Sequence, residues 1–389
     1  MPTLLRASRQ YPVVSVTGPR QSGKTTLLRH TFPRHAYVSL EAPDAREFAF
    51  TDPRGFLAQF GGPVILDEAQ HVPDLFSYIQ LIVDEHPEPG RFMLSGSHNF
   101  LLIRRIAQSL AGRVHISHLL PFSPAELHGL PLRTADDIAD PAPDPLPDTW
   151  TELAATGGYP PIHDRRLDPS EWLSLYFQTY LERDVRALSQ VGDLEAFRRF
   201  VVLCAGRAGQ LLNLSALGAD CGVSHETARR WLSVLEASFI VFRLPPHHEN
   251  FNKRLTKSPK LYFLDTGLLC YLLRVHTAGE LATHAMRGAV FENFVITELR
   301  KSYHHAGREP RLSFWRDHRG NEVDLVVDLP RGAVPVEIKS GATIASDFFK
   351  GLGHWEKLAE SFGGGILVYG GDDSHVRSVA AVRSWRHWP

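Results

Sequence analysis

The run Gly18-Pro19-Arg20-Gln21-Ser22-Gly23-Lys24-Thr25 satisfies every fixed position of the phosphate-binding pattern G-x-x-x-x-G-K-[ST]. An apolar run, Val13 to Val16, precedes it, and Thr26-Leu27-Leu28-Arg29-His30 follows as the start of a helix. Glycines at that spacing let successive backbone N–H groups turn inward around an anion, and the opening helix adds its positive end. Lys24 would then reach the β- and γ-phosphates of a nucleotide, and the Thr25 hydroxyl would ligate Mg²⁺. Pro19, Arg20, Gln21, Ser22 and Thr26 complete the candidate nucleotide contacts. The alternative is an ordinary Gly-rich turn.

A second motif argues against that alternative. Val64-Ile65-Leu66-Asp67-Glu68 is an apolar run ending in two carboxylates, the pattern of a buried parallel strand whose carboxyl end faces a ligand crevice. Asp67 would hold Mg²⁺ through water, and Glu68 would polarise the attacking water. A third run, Arg91 to Ser95, leads into Gly96-Ser97-His98-Asn99, so that Ser97 or Asn99 is expected to orient the water or touch the γ-phosphate. These segments resemble the AAA+ ATPases, and the resemblance matches Ser97 to their polar sensor position. ATPases of this class often add an arginine from a neighbouring subunit that stabilises charge on the transferred phosphoryl group. Arg113 is the first candidate for that role and Arg105 the second; a surface arginine at a helix end is the other reading of each.

A separate set of acids lies near the other end of the sequence. Asp324 interrupts the apolar strand Glu322 to Val327, and Val334 to Lys339 follows closely. Glu337 and Lys339, two apart, fall on one strand face. Asp324 and Glu337 are then a candidate pair for a divalent cation, with Lys339 positioning a water for attack on a phosphodiester and Glu292 adding a carboxylate from the helix Phe291 to Leu299. This resembles the PD-(D/E)xK nuclease core, with Val323 where the name-giving proline would stand. An active nuclease site and a nuclease-like fold kept for binding without cleavage are both open.

The elements that must position these groups follow from composition and pattern. At 389 residues, 43% hydrophobic and 22% charged, the sequence suits two or three globular domains. A formal net charge of −1 excludes a global basic footprint, so any nucleic-acid contact must be local. Cys204, Cys221 and Cys270 have no paired spacing and read as free thiols; with no apolar run near 18 residues and no signal pattern, a cytoplasmic location without membrane contact is expected. Strands alternating with helical stretches predict a parallel sheet over 1–125. Residues 126–190 read as a Pro/Asp-rich insertion, 131–150, and a helical lid at Glu171 to Leu188 carrying Arg183 and Arg186.

Residues 191–275 carry a helix-turn-helix pattern: Leu214 to Cys221, a turn capped by Ser224, and His225 to Leu235. Strand-like runs Phe239 to Leu244 and Lys260 to Asp265 make it a winged helix in pattern. Its DNA reading uses His225, Thr227, Arg229 and Arg230; its other reading is packing or protein contact. Three of only eight lysines cluster between Lys253 and Lys260, a candidate DNA contact. Residues 285–389 hold the nuclease-like pattern.

Together the P-loop, Asp67-Glu68-Ala69-Gln70, Ser109 to Val114, Tyr180 to Val185, Lys257 to Leu268, Gly320 to Val326 and Val336 to Gly341 resemble a large group of prokaryotic AAA+ ATPases in which a winged helix and a nuclease-like domain follow the ATPase core. The resemblance implies ATP binding, Mg²⁺-dependent hydrolysis and, if an arginine acts in trans, a homo-oligomer. Two functions of different class follow: hydrolysis coupled to DNA binding or processing, and a nucleotide-state switch that binds a protein partner.

Overall fold

The computed structural model describes residues 1–96, 109–138, 140, 144–181, 193–247, 257–330, 332–358 and 364–388. Ser97, Asn99, Arg105, Arg183, Arg186, Lys253 and Arg254 lie outside the described residues. The chain divides into two compact units: residues 1–120 with 237–239 and 304–307, and residues 121–236 with 240–303 and 308–389.

The first unit is built on five strands, β1 (Val13–Thr17), β2 (Ala36–Ser39), β3 (Val64–Asp67), β4 (Phe92–Gly96) and β5 (Val114–His118), in the order β2-β3-β4-β1-β5. Every pairing is parallel, with Thr17 beside Gly96, Val16 beside Ser95 and Ser39 beside Asp67. The three central strands, β1, β3 and β4, are buried along their whole length, which is why they read as mainly apolar runs without alternation, with the buried Ser15 inside β1. Alternate residues feed two separate cores: Val13, Val64, Leu66 and Leu94 one, and Val14, Val16, Ile65 and Met93 the other. Register thus brings the carboxyl ends of β1, β3 and β4 to one edge.

In the second unit, helices Leu214–Cys221 and His225–Ala237 fall where the pattern places them, and the Ser224 hydroxyl accepts the N–H of Thr227 at 3.1 Å. They precede an antiparallel ribbon of β6 (Val241–Leu244) and β7 (Lys260–Phe263). β7 ends before Asp265, which the pattern had included in the strand. The Asp265 carboxylate instead accepts the N–H groups of Leu268 at 2.9 Å and Gly158 at 2.8 Å, capping the helix Thr266–Leu272. A short acidic side chain that can satisfy helix N–H groups competes directly with strand continuation.

The remaining sheet holds β8 (Leu312–Arg316), β9 (Glu322–Leu329), β10 (Gly332–Lys339), β11 (Gly365–Tyr369), β12 (His375–Val376) and β13 (Ala380–Ser384) in the order β12-β13-β11-β10-β9-β8. β8, β9 and β10 form an antiparallel meander, and β10, β11 and β13 run parallel. The long helix Arg287–His305 carries Asn293, fully buried, whose amide accepts from Phe263 N–H at 2.8 Å and donates to Phe263 C=O at 2.7 Å. One side chain therefore serves as the strand partner that Phe263 lacks. No helix among the described residues is long and apolar enough to cross a membrane.

Replacing Asn293 by Ala strands the Phe263 N–H, while the Phe263 C=O keeps the Thr297 hydroxyl at 3.1 Å. The expected loss is about 1–3 kcal/mol for each buried group left without a partner, measured by denaturant unfolding. A change below about 0.5 kcal/mol, the range of ordinary surface substitutions, would show that the bond is dispensable.

Candidate functional site

The loop after β1 is shaped by two glycines with different reasons. A Cβ on Gly18 would lie 2.0 Å from the Leu119 carbonyl oxygen, so only glycine lets the loop pass that close. Gly23 sits at φ 89°, in the left-handed region, and starts the helix Lys24–Thr31. Lys24 is buried at 6% exposure, and its ammonium donates to the carbonyls of Gly18 at 3.1 Å and Pro19 at 2.7 Å. The Ser22 hydroxyl is buried and has no partner among the described residues. Arg20, Gln21 and Thr26 stand at the loop surface or partly covered.

Asp67, at the end of β3, is the point on which the neighbouring strands converge. Its carboxylate accepts hydrogen bonds from Thr25 at 3.0 and 3.1 Å, from the Tyr37 hydroxyl at 3.0 Å and from Ser95. Burial and then the adjacent Asp67 charge push the Tyr37 phenol up to about 12. Arg29 lies over the Tyr37 ring at 4.8 Å. Glu68 follows with φ 54° and ψ 42°, a left-handed conformation, and accepts from Gln70. Two of these groups, Tyr37 and Ser95, are not singled out by the motifs. Each lies on a strand paired with β3, Ser95 near the carboxyl end of β4 and Tyr37 near the start of β2, opposite Ile65.

These residues fit a magnesium nucleotide. The orphaned Ser22 hydroxyl, the loop that tolerates no Cβ at Gly18 and the Thr25–Asp67 pair are the donor set Mg²⁺ takes when it binds one carboxylate together with phosphates and water. Arg113, at the start of β5, is exposed and its guanidinium forks onto the Asp84 carboxylate, with Nη2 at 2.9 Å; Nη1 donates to the Ala111 carbonyl at 3.0 Å.

The C-terminal acids are arranged differently from the cation site expected of them. Lys339 donates to Asp324 at 2.7 Å and approaches Glu337 at 2.6 Å, so the three share one sheet face. Asp324 also accepts the Ile338 N–H at 2.8 Å. Glu292 turns away to Lys260 at 3.0 Å and to the Tyr262 hydroxyl at 2.5 Å. Lys260 also meets Glu322 at 2.5 Å, and Arg316 meets Glu322 at 3.0 Å. Among the described residues no group of three or more His, Cys, Asp or Glu side chains could hold a metal ion. Of the expected ligand set, Glu292 bonds to Lys260 and Tyr262 while Asp324 and Glu337 stay together on Lys339, so that lysine ammonium groups supply the counter-charge that desolvated carboxylates require.

Lys260 is a second correction. It is 2% exposed and saturated by acids, so it is not part of a surface basic cluster; of that cluster only Lys257 is described as exposed. A lysine opening an otherwise apolar strand was the available sign. Glu322 was likewise legible only as a strand start.

Burial pushes Glu337 up to about 9, and the Asp324 charge adds to it against the pull of Lys339. Burial acts on Asp324 in the same sense, but the charges of Lys339 and Lys260 outweigh it and hold that carboxyl below the usual range. A Cβ on Gly351 would lie 1.8 Å from Glu337 Oε1 and 2.3 Å from the Glu322 carbonyl, so the helix Lys350–Glu356 closes directly on this cluster.

On the helix-turn-helix segment, His225, Arg229 and Arg230 are exposed and Thr227 is partly covered; Arg229 pairs with Glu226 at 2.8 Å.

Residues 10–128 match the family model of an AAA domain, and residues 147–279 and 287–385 match two domains of unknown function (DUF8612 and DUF4143). Two proteins described as uncharacterized, Mb2031c of Mycobacterium bovis and Rv2008c of Mycobacterium tuberculosis, are each 36% identical over 346 residues, 87% of this chain and 73% of theirs. The chain belongs to their family. It carries an AAA-type P-loop domain at its N-terminal end. Among solved structures, the Walker-type ATPase PABY2304 of Pyrococcus abyssi is similar at 14% identity and a TM-score of 0.42, covering 70% of this chain and 94% of that one. The RuvB Holliday junction branch migration motor of Thermotoga maritima is similar at 19% identity and a TM-score of 0.27, covering 60% and 82%.

A group whose folded pKa is raised contributes its full stability below the unfolded pKa and loses it as pH rises toward the folded value. For Glu337 that window runs from the ordinary 4.5 to about 9. The stability of the wild type relative to Glu337→Gln is therefore expected to fall steadily between pH 5 and pH 9 in denaturant titrations. A difference that stays flat or grows with pH would contradict the assigned protonation.

Proposed function

We propose that this protein is a Mg²⁺-dependent ATP hydrolase whose nucleotide cycle is coupled to DNA binding. The observation that carries the ATPase part is the convergence of Thr25 and Ser95 on the Asp67 carboxylate at adjacent strand ends, directly beside the loop that buries Lys24. In this reading the Lys24 ammonium exchanges the Gly18 and Pro19 carbonyls for phosphate oxygens. Backbone N–H groups of residues 20–25 surround the phosphates. Thr25 and Asp67 hold Mg²⁺, which when bound supplies positive charge against that developing on the phosphoryl oxygens. Glu68, turned out of the strand by its left-handed backbone, accepts a proton from the attacking water, with Gln70 holding its carboxylate in place. Ser97 orients that water in the same reading. Arg113 belongs to the proposal as the arginine supplied to a neighbouring subunit. Its exposed pairing with Asp84 lies in water and is exchangeable.

The DNA part rests on the helix-turn-helix and its two-stranded ribbon, a winged-helix arrangement whose second helix exposes His225, Arg229 and Arg230. The nuclease-like reading of residues 285–389 is carried as a binding domain without cleavage. The observation favouring that form is the closed acid and lysine cluster, in which Lys339 and Lys260 stand against the carboxylates a catalytic cation would need. The same closure, with the buried Lys260 and the net charge of −1, favours a second reading: a nucleotide-state switch whose C-terminal domains dock a protein partner.

ATP turnover with Mg²⁺, measured with and without single- and double-stranded DNA, separates these. Lys24→Ala is expected to lose nucleotide binding, and Glu68→Gln to keep binding while turnover falls by about 10²–10⁴-fold, the usual contribution of a positioned base. Stimulation by DNA that disappears in Glu68→Gln supports the coupled reading. Turnover indifferent to DNA overturns the coupling and leaves the protein-partner switch, and turnover unchanged in Glu68→Gln overturns the role given to that residue.

A further inference from the structure

Between the β8–β9 turn and the end of the helix Lys350–Glu356 lies a cavity of about 260 Å³. His318, Arg319 and Asn321 line it from the turn, His354 and Lys357 from the helix, and Trp315 is beneath them. Among the described residues that line it, the one acid, Asp317, is already committed. The Asp317 carboxylate accepts the N–H groups of Arg319 at 2.8 Å and Asn321 at 2.9 Å, and the Asn321 side-chain amide at 2.8 Å, all within the turn. Arg319 and Lys357 have no acidic partner among the described residues, which leaves an excess of positive charge over Asp317 before either histidine is counted. The Trp315 indole N–H is buried with no acceptor among the described residues. The lining is therefore rich in donors and poor in acceptors.

Two bland explanations apply to parts of this set. A lysine at a helix C-terminus offsets the helix dipole, and arginines are common on exposed turns. Neither explains why turn and helix line one concavity, large enough for a tetrahedral oxyanion, with two cationic residues while the acid of the set is bonded to its own backbone. We propose that this cavity binds a phosphate group. Arg319 supplies the planar fork suited to phosphate oxygens, and Lys357 supplies a point charge. The site is independent of the P-loop and of the closed acid and lysine cluster.

The test uses ¹⁵N-labelled full-length protein carrying Lys24→Ala, so that the P-loop does not compete for the probe. The chain has seven tryptophans, and the Trp315 indole resonance is assigned with Trp315→Phe. Inorganic phosphate, titrated at constant ionic strength against chloride, is expected to move that resonance saturably. In Arg319→Glu with Lys357→Glu the affinity is expected to fall by about tenfold or more for each charge reversed. The other indole resonances report whether the fold is intact, and Arg319→Gln with Lys357→Gln replaces the double reversal if it is not. A shift no larger than in chloride, or one unchanged in the double variant, overturns the proposal. A single-stranded DNA oligonucleotide that moves the resonance at lower phosphate-group concentration than inorganic phosphate assigns the site to a nucleic-acid strand. A response to inorganic phosphate alone assigns it to a small phosphorylated ligand.

Discussion

The N-terminal unit depends on what surrounds a single carboxylate. Asp67 ends a strand with no other polar side chain, and it is almost entirely removed from water. A buried carboxylate without partners would be expelled or protonated. Here Thr25, Tyr37 and Ser95 each donate a hydroxyl to it, and each comes from a different element: the helix after the loop, β2 and β4. The polar demand of one residue thus ties the loop, the sheet register and the strand ends into a common geometry.

The C-terminal unit solves the same problem with opposite charge. Four carboxylates gather around β9 and β10, and the solvation they lose is replaced by the buried Lys260, the partly covered Lys339, an arginine and a tyrosine hydroxyl. Removing water strengthens each pair and also makes any unbalanced charge costly, which is why Glu337 is held protonated while its cross-strand neighbour Asp324 is held ionised. Gly351 lets a helix backbone lie directly against this set. A site closed in this way pairs each acid with a nearby cation. Open cation chemistry needs carboxylates whose lone pairs are not already taken.

Much of the nucleotide site was legible in residue order. The spacing of Gly18, Gly23, Lys24 and Thr25 is local, and its consequences follow from backbone geometry within eight residues. The mainly apolar runs of β1, β3 and β4 were legible because burial on both faces leaves no alternation to confuse them. β5 was not, since Val114 to His118 alternates with polar residues at a half-buried sheet edge. The His225–Ala237 helix was announced by its cap, Ser224, whereas the cap of Leu214–Cys221, Asn213, appears only in the structure.

What sequence alone determined, then, is the chemistry that adjacent residues can build: a phosphate loop, an acid at a strand end, a capped helix pair. Tertiary structure decided everything that depends on partners distant along the chain. Tyr37 and Ser95 reach Asp67 across 30 and 28 positions, and Lys260 reaches Glu292 across 32. The D…ExK spacing was compatible with an open cation site and with a closed ion-pair cluster, because spacing fixes which face a side chain takes and not what stands opposite. Spacing put Lys339 beside Glu337, but only packing brought Lys260 to Glu292 and Glu322 and Asp324 to Lys339, and desolvation then required the acids to pair with these lysines.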